Sequence, residues 1–487
     1  MITRRVNPWF VLVIVGLAQF MVVLDATVVN VALPSIQRGL HFTTGGLQWV
    51  VNAYALCFGG FLLLGGRAGD LFGRRRLFVL GVIVFSIASL LNGLAGSAAQ
   101  LVAGRGLQGL GGALVSPAAL SVLTTTFEEG RRRARALGVW SAVAVGGGAV
   151  GLLLGGVLTQ LASWQWVFFV NVPVGAGTLL LALRFVPESR ASGPAGRLDA
   201  AGAVAVTAGL MVLVYAIVNA QSAGWTSAST LGLGALALAL LAAFLLLETR
   251  QRHPLVRLGI FRMRSLTGAN TVMLLVAAGM FAMFFFASIY VQEILGYSPL
   301  HAGLAFLPMT AMIMLGAGLA QGLIQRIGVR TVAIIGMALA GVGLLLLTGL
   351  PVDGSYVGNL LPGLLVMSLG MGLTFVPVTL MATTNVSERD AGLASGLLNT
   401  AQQVGGALGL AVLSTLAAKA TAGTLADTGR AAASLAFRAS ALVDGFHVAF
   451  LAGAGMFAAG VLALATVVRS RDVRRIERAE AELPVAA

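Results

Sequence analysis

The chain has 487 residues, of which 58% are hydrophobic and only 10% are charged, and its formal net charge is +14. Soluble domains carry about 25% charged residues, so this composition excludes a soluble fold and predicts an integral membrane protein. The arginines lie mostly in short segments between apolar runs, so we interpret the positive charge as membrane topology and lipid contact, not as nucleic-acid binding.

Fourteen apolar runs follow one another, most of them near the ~20 residues that a helix needs to cross a bilayer. They cover residues 9–33, 46–70, 77–97, 99–123, 135–158, 166–186, 199–220, 229–248, 266–291, 301–324, 330–350, 358–382, 393–417 and 446–468. With fourteen spans, every arginine-rich segment falls on one side of the membrane. The sequence therefore predicts an all-α polytopic protein with both termini in the cytoplasm.

The first run contains one acidic residue, Asp25, at a position that a membrane helix would place at hydrocarbon depth. A carboxylate there costs at least ~2.5 kcal/mol, which makes Asp25 the first candidate functional residue. Arg105 lies in the fourth run at a similar distance from the outer end, ~10–12 Å at 1.5 Å per residue. We predict that the two side chains form a pair that switches with protonation of Asp25. A static buried ion pair is the alternative.

The end of the second run and the segment after it contain Gly66, Asp70, Gly73, Arg74 and Arg75. Glycines permit a tight turn on the inner side, and Asp70 is placed to pair with the loop arginines or to cap a neighbouring helix. A contact of this kind, if it breaks between two conformations, would hold an inner gate shut. An ordinary positively charged loop with an incidental acid is an equally good interpretation.

This turn is repeated later in the chain, where Gly303 and Gly328, 25 residues apart, correspond to Gly46 and Gly73, 27 residues apart. Such a repeat predicts two parallel six-helix halves with a cavity between them. We assign residues 1–190 to the N-terminal half, 191–258 to a two-helix central insert, 259–470 to the C-terminal half and 471–487 to a cytoplasmic tail.

Two further sets of residues are candidates for transport. Gly147, Gly151 and Gly155 recur every four residues beside Gly156, which predicts a close helix approach in the fifth span, with plain packing as the alternative. The candidates for a substrate cavity are polar or aromatic residues within spans, for which helix bridging, lipid contact or a solvated rim is the alternative: Asn30, Gln108, Phe281, Phe285, Glu293, Asn399 and Gln403.

Other chemistries find no support in the sequence. The only lysine is Lys419, so the chain contains no nucleotide-binding P-loop, and its scattered histidines and single cysteine suggest no metal site. The spans contain no paired carboxylates or histidine constellation for a membrane-embedded enzyme. We therefore expect no enzyme and no cofactor other than the proton as coupling ion.

The segment from Leu24 to Pro34, together with Arg105-x-x-Gln108-Gly109 and the fifth-span glycines, resembles the fourteen-span drug:proton antiporter branch of the major facilitator superfamily. Leu152 departs from that branch, which usually has proline there. The resemblance implies a bacterial inner-membrane exporter of lipophilic, often cationic compounds, driven by proton entry, with Asp25 as the coupling acid. The alternatives are a dedicated exporter of one natural product and a non-transporting sensor or scaffold. Whether a periplasmic adaptor takes part stays open.

Overall fold

The computed structural model describes residues 7–127, 131–190, 199–251, 254–383, 386, 391–427 and 435–468, so the tail assigned to 471–487 lies outside the described residues. The described residues are helical with short connections, and the expected all-α fold is confirmed. The long helices, numbered in chain order, are α1 (Pro8–Leu40), α2 (Trp49–Phe72), α3 (Arg74–Gly93), α4 (Ala98–Thr126), α5 (Arg131–Leu161), α6 (Asn171–Phe185), α7 (Ala200–Ala223), α8 (Ala228–Arg250), α9 (Arg264–Ile289), α10 (Leu307–Ile327), α11 (Val329–Leu347), α12 (Leu361–Thr383), α13 (Ala391–Asp427) and α14 (Leu435–Val467).

Thirteen helical stretches among the described residues are long and apolar enough to cross a membrane, and α5 adds the shorter apolar stretch Gly146–Leu161. In hydrocarbon every backbone N–H and C=O must be hydrogen-bonded within the protein, and a helix meets this requirement inside one segment. The continuous apolar runs of the sequence therefore become helices, with exposed leucines and valines on many of their outer faces. The protein is a multi-pass membrane protein.

The ends of the helices follow local signals. The side chain of Asn7 accepts a hydrogen bond from the backbone N–H of Trp9, and Pro8 occupies the first turn of α1. Gly73, with φ 112°, separates α2 from α3, and Gly328, with φ 85°, separates α10 from α11. Both glycines adopt a conformation that other residues rarely take, so the repeated glycine has the same structural cause in both turns.

Three helix ends differ most from the predicted runs. Helix α1 continues through Pro34 to Leu40, although the apolar run ends at Leu33. Helix α13 extends to Asp427, and α14 begins at Leu435, before its apolar run. The reason is that a helix ends where its backbone hydrogen bonds end, not where its hydropathy falls.

The helices group into two compact units. Unit 1 comprises Met1–Met211, Ala239–Leu255 and Ser298–Leu304, and unit 2 comprises Val212–Leu238, Val256–Tyr297 and Ala305–Ala487. In unit 1, α2 and α3 both pack on α4, α1 packs on α5, and α6 lies against α1 and α3.

Unit 2 repeats this arrangement within itself. Helices α10 and α11 pack on α12, α9 packs on α13, and α14 lies against α9 and α11. The same order of pairings in both units agrees with the internal repeat in the sequence. The central pair α7 and α8 contributes residues to both units.

Candidate functional site

A buried ion pair lies inside unit 1. The Oδ2 atom of Asp25 on α1 accepts a hydrogen bond from Nη1 of Arg105 on α4 at 2.7 Å. The two residues are 0% and 2% exposed. The structure therefore brings together the two charged residues that the sequence analysis placed at one depth. Their role in proton coupling stays a prediction.

Gln108 lies at the centre of the hydrogen bonds around this pair. Its Oε1 atom accepts from Nη1 of Arg105 at 2.7 Å and from Nδ2 of Asn92 at 2.8 Å. Its Nε2 atom donates to Oδ1 of Asp25 at 2.7 Å and to the hydroxyl of Ser89 at 2.6 Å. Since all four partners are buried, the orientation of this amide is determined on both sides.

Three further groups complete the site. Asn171, the first residue of α6, donates from Nδ2 to Oδ1 of Asp25 at 2.9 Å. The Nε atom of Arg105 donates to the backbone oxygen of Val50 at 2.8 Å. The guanidinium carbon of Arg105 lies 4.3 Å from the centre of the Tyr54 ring, a favourable cation–π distance.

The arrangement holds one negative and one positive charge away from water. The carboxylate of Asp25 accepts three hydrogen bonds, one of them from a guanidinium, so its charge is well compensated while it is ionised. A proton added to Asp25 would remove that charge and leave Arg105 as a buried cation. The site can therefore exist in two charge states with different preferred contacts, which is what a proton-driven switch requires.

The glycines of α5 allow α1 to approach closely beside Asp25. A Cβ atom on Gly151 would meet the Thr27 hydroxyl and would lie 2.9 Å from the backbone oxygen of Leu24, and one on Gly155 would lie 2.7 Å from that of Val28. A Cβ on Gly147 would lie 3.3 Å from Phe20. These contacts surround the turn of α1 that carries Asp25. They show the close helix packing; the antiporter role of the glycines stays a prediction.

Gly156 faces a different partner from the other three glycines. A Cβ on Gly156 would lie 2.5 Å from the backbone oxygen of Pro299, and one on Gly303 would lie 2.5 Å from that of Leu152. On the same helix, the side-chain oxygen of Gln160 accepts a hydrogen bond from the Leu300 backbone N–H at 3.1 Å. Within unit 1, α5 thus packs against both α1 and the short segment Ser298–Leu304.

The inner turn between α2 and α3 contacts the end of α6. The backbone N–H of Arg75 donates to Oε1 of Glu188 at 3.1 Å, and that of Arg74 donates to the backbone oxygen of Ser189 at 3.0 Å. The Arg75 guanidinium donates to the backbone oxygen of Leu183. Glu188 therefore caps the N-terminus of α3, the task for which Asp70 was one candidate. The side chain of Asp70 lies outside the described residues.

The residues predicted for a substrate cavity divide between the units. Gln108 was assigned to the cavity, but its side chain is 0% exposed and belongs to the hydrogen bonds around Asp25. Asn30, also in unit 1, is half-buried and donates to the backbone oxygen of Ala26 at 3.3 Å. In unit 2, Phe285 is buried against Phe286, whereas Phe281 is half-buried.

The remaining cavity candidates, all in unit 2, are more accessible. Glu293 is exposed, and Gln403 is half-buried. Asn399 is exposed, and its Nδ2 donates to the backbone oxygen of Ser395 at 3.0 Å. The assignment of all seven residues to substrate binding, Gln108 included, stays a prediction.

Sequence reasoning missed several residues of the site, namely Tyr54, Ser89, Asn92, Asn171 and Glu188. A usable signal was present for two of them. Asn92 and Asn171 are amides inside apolar runs, where each polar group needs a partner. No comparable signal marks Ser89, because serine is common at helix–helix contacts in membranes.

Comparison with known proteins places the chain in a family. Residues 15–410 match the model of the Major Facilitator Superfamily. The chain is 43% identical to the puromycin resistance protein pur8 of Streptomyces alboniger over 94% of this chain and 90% of the relative. It is 42% identical to the cephamycin export protein CmcT of Amycolatopsis lactamdurans over 85% of this chain and 86% of the relative.

A solved structure has the same fold. The crystal structure of a bacterial homologue of the human lysosomal transporter Spinster, in an inward-facing and unoccupied conformation, aligns with a TM-score of 0.68. It covers 96% of this chain and 98% of the other, at 18% sequence identity. The chain thus belongs to the major facilitator superfamily, in its fourteen-span drug:proton antiporter branch, and is a transporter, not an enzyme.

Proposed function

We propose that this protein exports an antibiotic or another drug-like small molecule across the bacterial plasma membrane in exchange for protons, with Asp25 as the proton carrier. The observation that carries the proposal is the buried ion pair between Asp25 and Arg105. Burying two charges costs free energy, so an ion pair buried among membrane-spanning helices is most simply explained by a functional role.

In the proposed cycle, a proton from outside neutralises Asp25 and weakens its hold on Arg105. Opening toward the cytoplasm releases the proton, and the substrate then binds. Each proton that enters along a pH difference of one unit supplies about 1.4 kcal/mol. A membrane potential of 100 mV adds about 2.3 kcal/mol per charge moved.

Two degrees of substrate breadth are compatible with this mechanism. The two relatives described above carry the names of single antibiotics, puromycin and cephamycin, which supports export of one natural product. The motif around Asp25 resembles that of multidrug exporters of lipophilic cations, which supports a broader range. In both cases the same residues would carry the proton.

The experiment that tests the function uses proteoliposomes with an imposed pH gradient. Puromycin, a cephamycin and a panel of lipophilic cations are added while the lumenal pH is followed. We expect substrate-dependent proton flux in the wild type and none in Asp25→Asn. The matched control is Asp199→Asn, another buried aspartate, whose Oδ1 accepts from the Gly202 backbone at 2.7 Å. Wild-type flux in Asp25→Asn would exclude Asp25 as the carrier.

A response to one compound alone would identify a dedicated exporter, and responses to several unrelated cations would identify a multidrug exporter. Absence of proton flux and of transport with every compound would leave a narrow-specificity exporter of a compound outside the panel, or the alternative of a membrane sensor or scaffold.

A further inference from the structure

The two carboxylate oxygens of Asp25 have different partners. Oδ2 accepts from the guanidinium of Arg105, and Oδ1 accepts from the amides of Gln108 and Asn171. A guanidinium has no acceptor, so a proton on Oδ2 would face a permanent donor. An amide carries both a donor and an acceptor. The oxygen that can take a proton and keep a hydrogen bond is therefore Oδ1.

Of the two amides on Oδ1, that of Gln108 is held in place. Rotating it would turn its –NH₂ group toward the donors of Arg105 and Asn92, which now donate to its oxygen at 2.7 and 2.8 Å. The rotation would also take the donor away from Ser89. Gln108 consequently keeps its orientation in both charge states of Asp25.

Asn171 is held by the single described bond from Nδ2 to Asp25, and the terminal torsion of an amide side chain is soft. We infer that Asn171 is the proton-responsive partner of Asp25. The amide of Asn171 donates to Oδ1 while Asp25 is ionised, and it rotates to accept the O–H of Oδ1 once Asp25 is protonated. This inference rests on the proposed function. In the step, a hydronium ion gives its proton to Oδ1, the Nδ2–H···Oδ1 bond breaks, and an Oδ1–H···O=C bond to Asn171 replaces it.

The groups around the acid agree with this assignment. Among the described residues, the charged or titratable groups facing Asp25 are Arg105 from α4 and Tyr54 from α2. The other helices around the carboxylate contribute neutral groups, namely Ser89 and Asn92 from α3, the glycine face of α5 and Asn171 from α6. When Asp25 is neutral, Arg105 keeps Val50, Gln108 and the Tyr54 ring as partners.

Asn171 lies on a helix that connects the proton site to the turn between α2 and α3. Asn171 is the first residue of α6, and near the other end of this helix the backbone oxygen of Leu183 binds the Arg75 guanidinium. Glu188, shortly after the helix, accepts from the Arg75 backbone. Helix α6 thus contacts the proton site at one end and the turn between α2 and α3 at the other.

The test is infrared difference spectroscopy of the full-length protein in lipid at two pH values. The C=O stretch of protonated Asp25 is identified as the band absent from Asp25→Asn. In Asn171→Leu, which has a similar volume and no polar group, we expect this band to move to higher wavenumber, because the acid loses an acceptor. Proton-driven transport should fall about tenfold or more, since hydrogen bonds to charged groups are strong ones.

Two variants serve as controls. Thr178→Val, at a buried position further along α6, should leave both the band and the flux unchanged. Asn171→Gln keeps an amide that both donates and accepts and can still reach Asp25, so it should retain coupling. It also provides the measurement if Asn171→Leu does not insert: loss of coupling in well-folded Asn171→Gln would overturn the inference.

A band at the wild-type position in Asn171→Leu, with wild-type flux, would also overturn it and leave the proposed function intact. If instead Asp25→Asn loses no C=O band and keeps wild-type flux, it is the proposed function that fails.

Discussion

The two units solve one packing problem with opposite chemistry. In unit 1 the space for a Cβ on Gly104 is taken by Asn92, and in unit 2 the space on Gly363 is taken by Leu347. The repeated contact makes Gly104 equivalent to Gly363 and Asn92 equivalent to Leu347. Counting along the helices from these positions, Leu364, Met367 and Leu344 stand where unit 1 has Arg105, Gln108 and Ser89, respectively.

The equivalent of Asp25 follows from the other helix pair. A Cβ on Gly151 would lie 2.9 Å from the backbone oxygen of Leu24, and one on Gly405 would meet that of Leu274. Leu275 therefore occupies the position of Asp25 in unit 2. Five residues of the polar network thus have aliphatic or thioether counterparts, of which Leu344, Leu347, Leu364 and Met367 are at most 1% exposed.

This difference teaches that the helix packing itself does not need the polar network. The same helix pairings form around leucines and a methionine in unit 2, at no cost of desolvated charge. A network kept in one copy and absent from the other is a local departure from the apolar rule, and such departures are expected at functional sites.

The largest expected effect comes from replacing one charged residue of unit 1 with its apolar counterpart from unit 2. Arg105→Leu leaves the carboxylate of Asp25 buried without its cation, and we expect the free energy of unfolding to fall by about 3–5 kcal/mol. The double variant Asp25→Leu with Arg105→Leu should recover most of this loss and show no proton flux. Denaturation in detergent micelles, followed by circular dichroism, measures the free energy of unfolding of the single and the double variant. Equal stability of the single and double variants would contradict the comparison.

An intermediate effect is expected from exchanging the central amide. Gln108→Met copies Met367, removes four hydrogen bonds and leaves the buried Nδ2 group of Asn92 without its described acceptor, at a cost of about 1–3 kcal/mol or more. The reverse change, Met367→Gln, buries an amide among aliphatic side chains at a similar cost of about 1–3 kcal/mol.

Transport separates these two variants. The ratio of protons to substrate, measured in proteoliposomes, should fall in Gln108→Met and stay at the wild-type value in Met367→Gln. A changed ratio in both variants would mean that the two units share the coupling chemistry.

The smallest effect concerns a feature that the units share. The guanidinium of Arg330 donates to the backbone oxygens of Leu464 at 3.1 Å and Ala465 at 2.6 Å, at the end of α14, as that of Arg75 does to Leu183 at the end of α6. We expect Arg75→Ala and Arg330→Ala each to lower the free energy of unfolding by about 0.5–1.5 kcal/mol.

Arg76→Ala is the control for these two variants. The Arg76 side chain is 70% exposed and lies 3.8 Å from Glu188, so the change should be within about 0.5 kcal/mol of zero. A loss of unfolding free energy several times larger in Arg75→Ala than in Arg330→Ala would show that the first turn makes a stabilising contribution that the second does not.

Much of the fold was predictable because hydropathy acts locally. Each apolar run became a helix, since a segment in lipid has to satisfy its own backbone. The repeated glycines, Gly73 and Gly328, were predictable for the same reason, because each turn needs a backbone conformation that a side chain opposes. The ends of the helices were less predictable. Helix α1 continues past Leu33 to Leu40, so the end of the apolar run did not mark the end of the helix.

By itself, the sequence determined that the chain spans the membrane many times, that it repeats, and that Asp25 and Arg105 need partners inside it. A charged residue inside an apolar run can be recognised from the sequence, because placing it in the membrane costs free energy whatever surrounds it. Only the tertiary structure decided the other partners. Gln108, Asn171 and Tyr54 come from three different helices, and which way a polar side chain faces on a helix of apolar residues depends on the neighbours that pack against it.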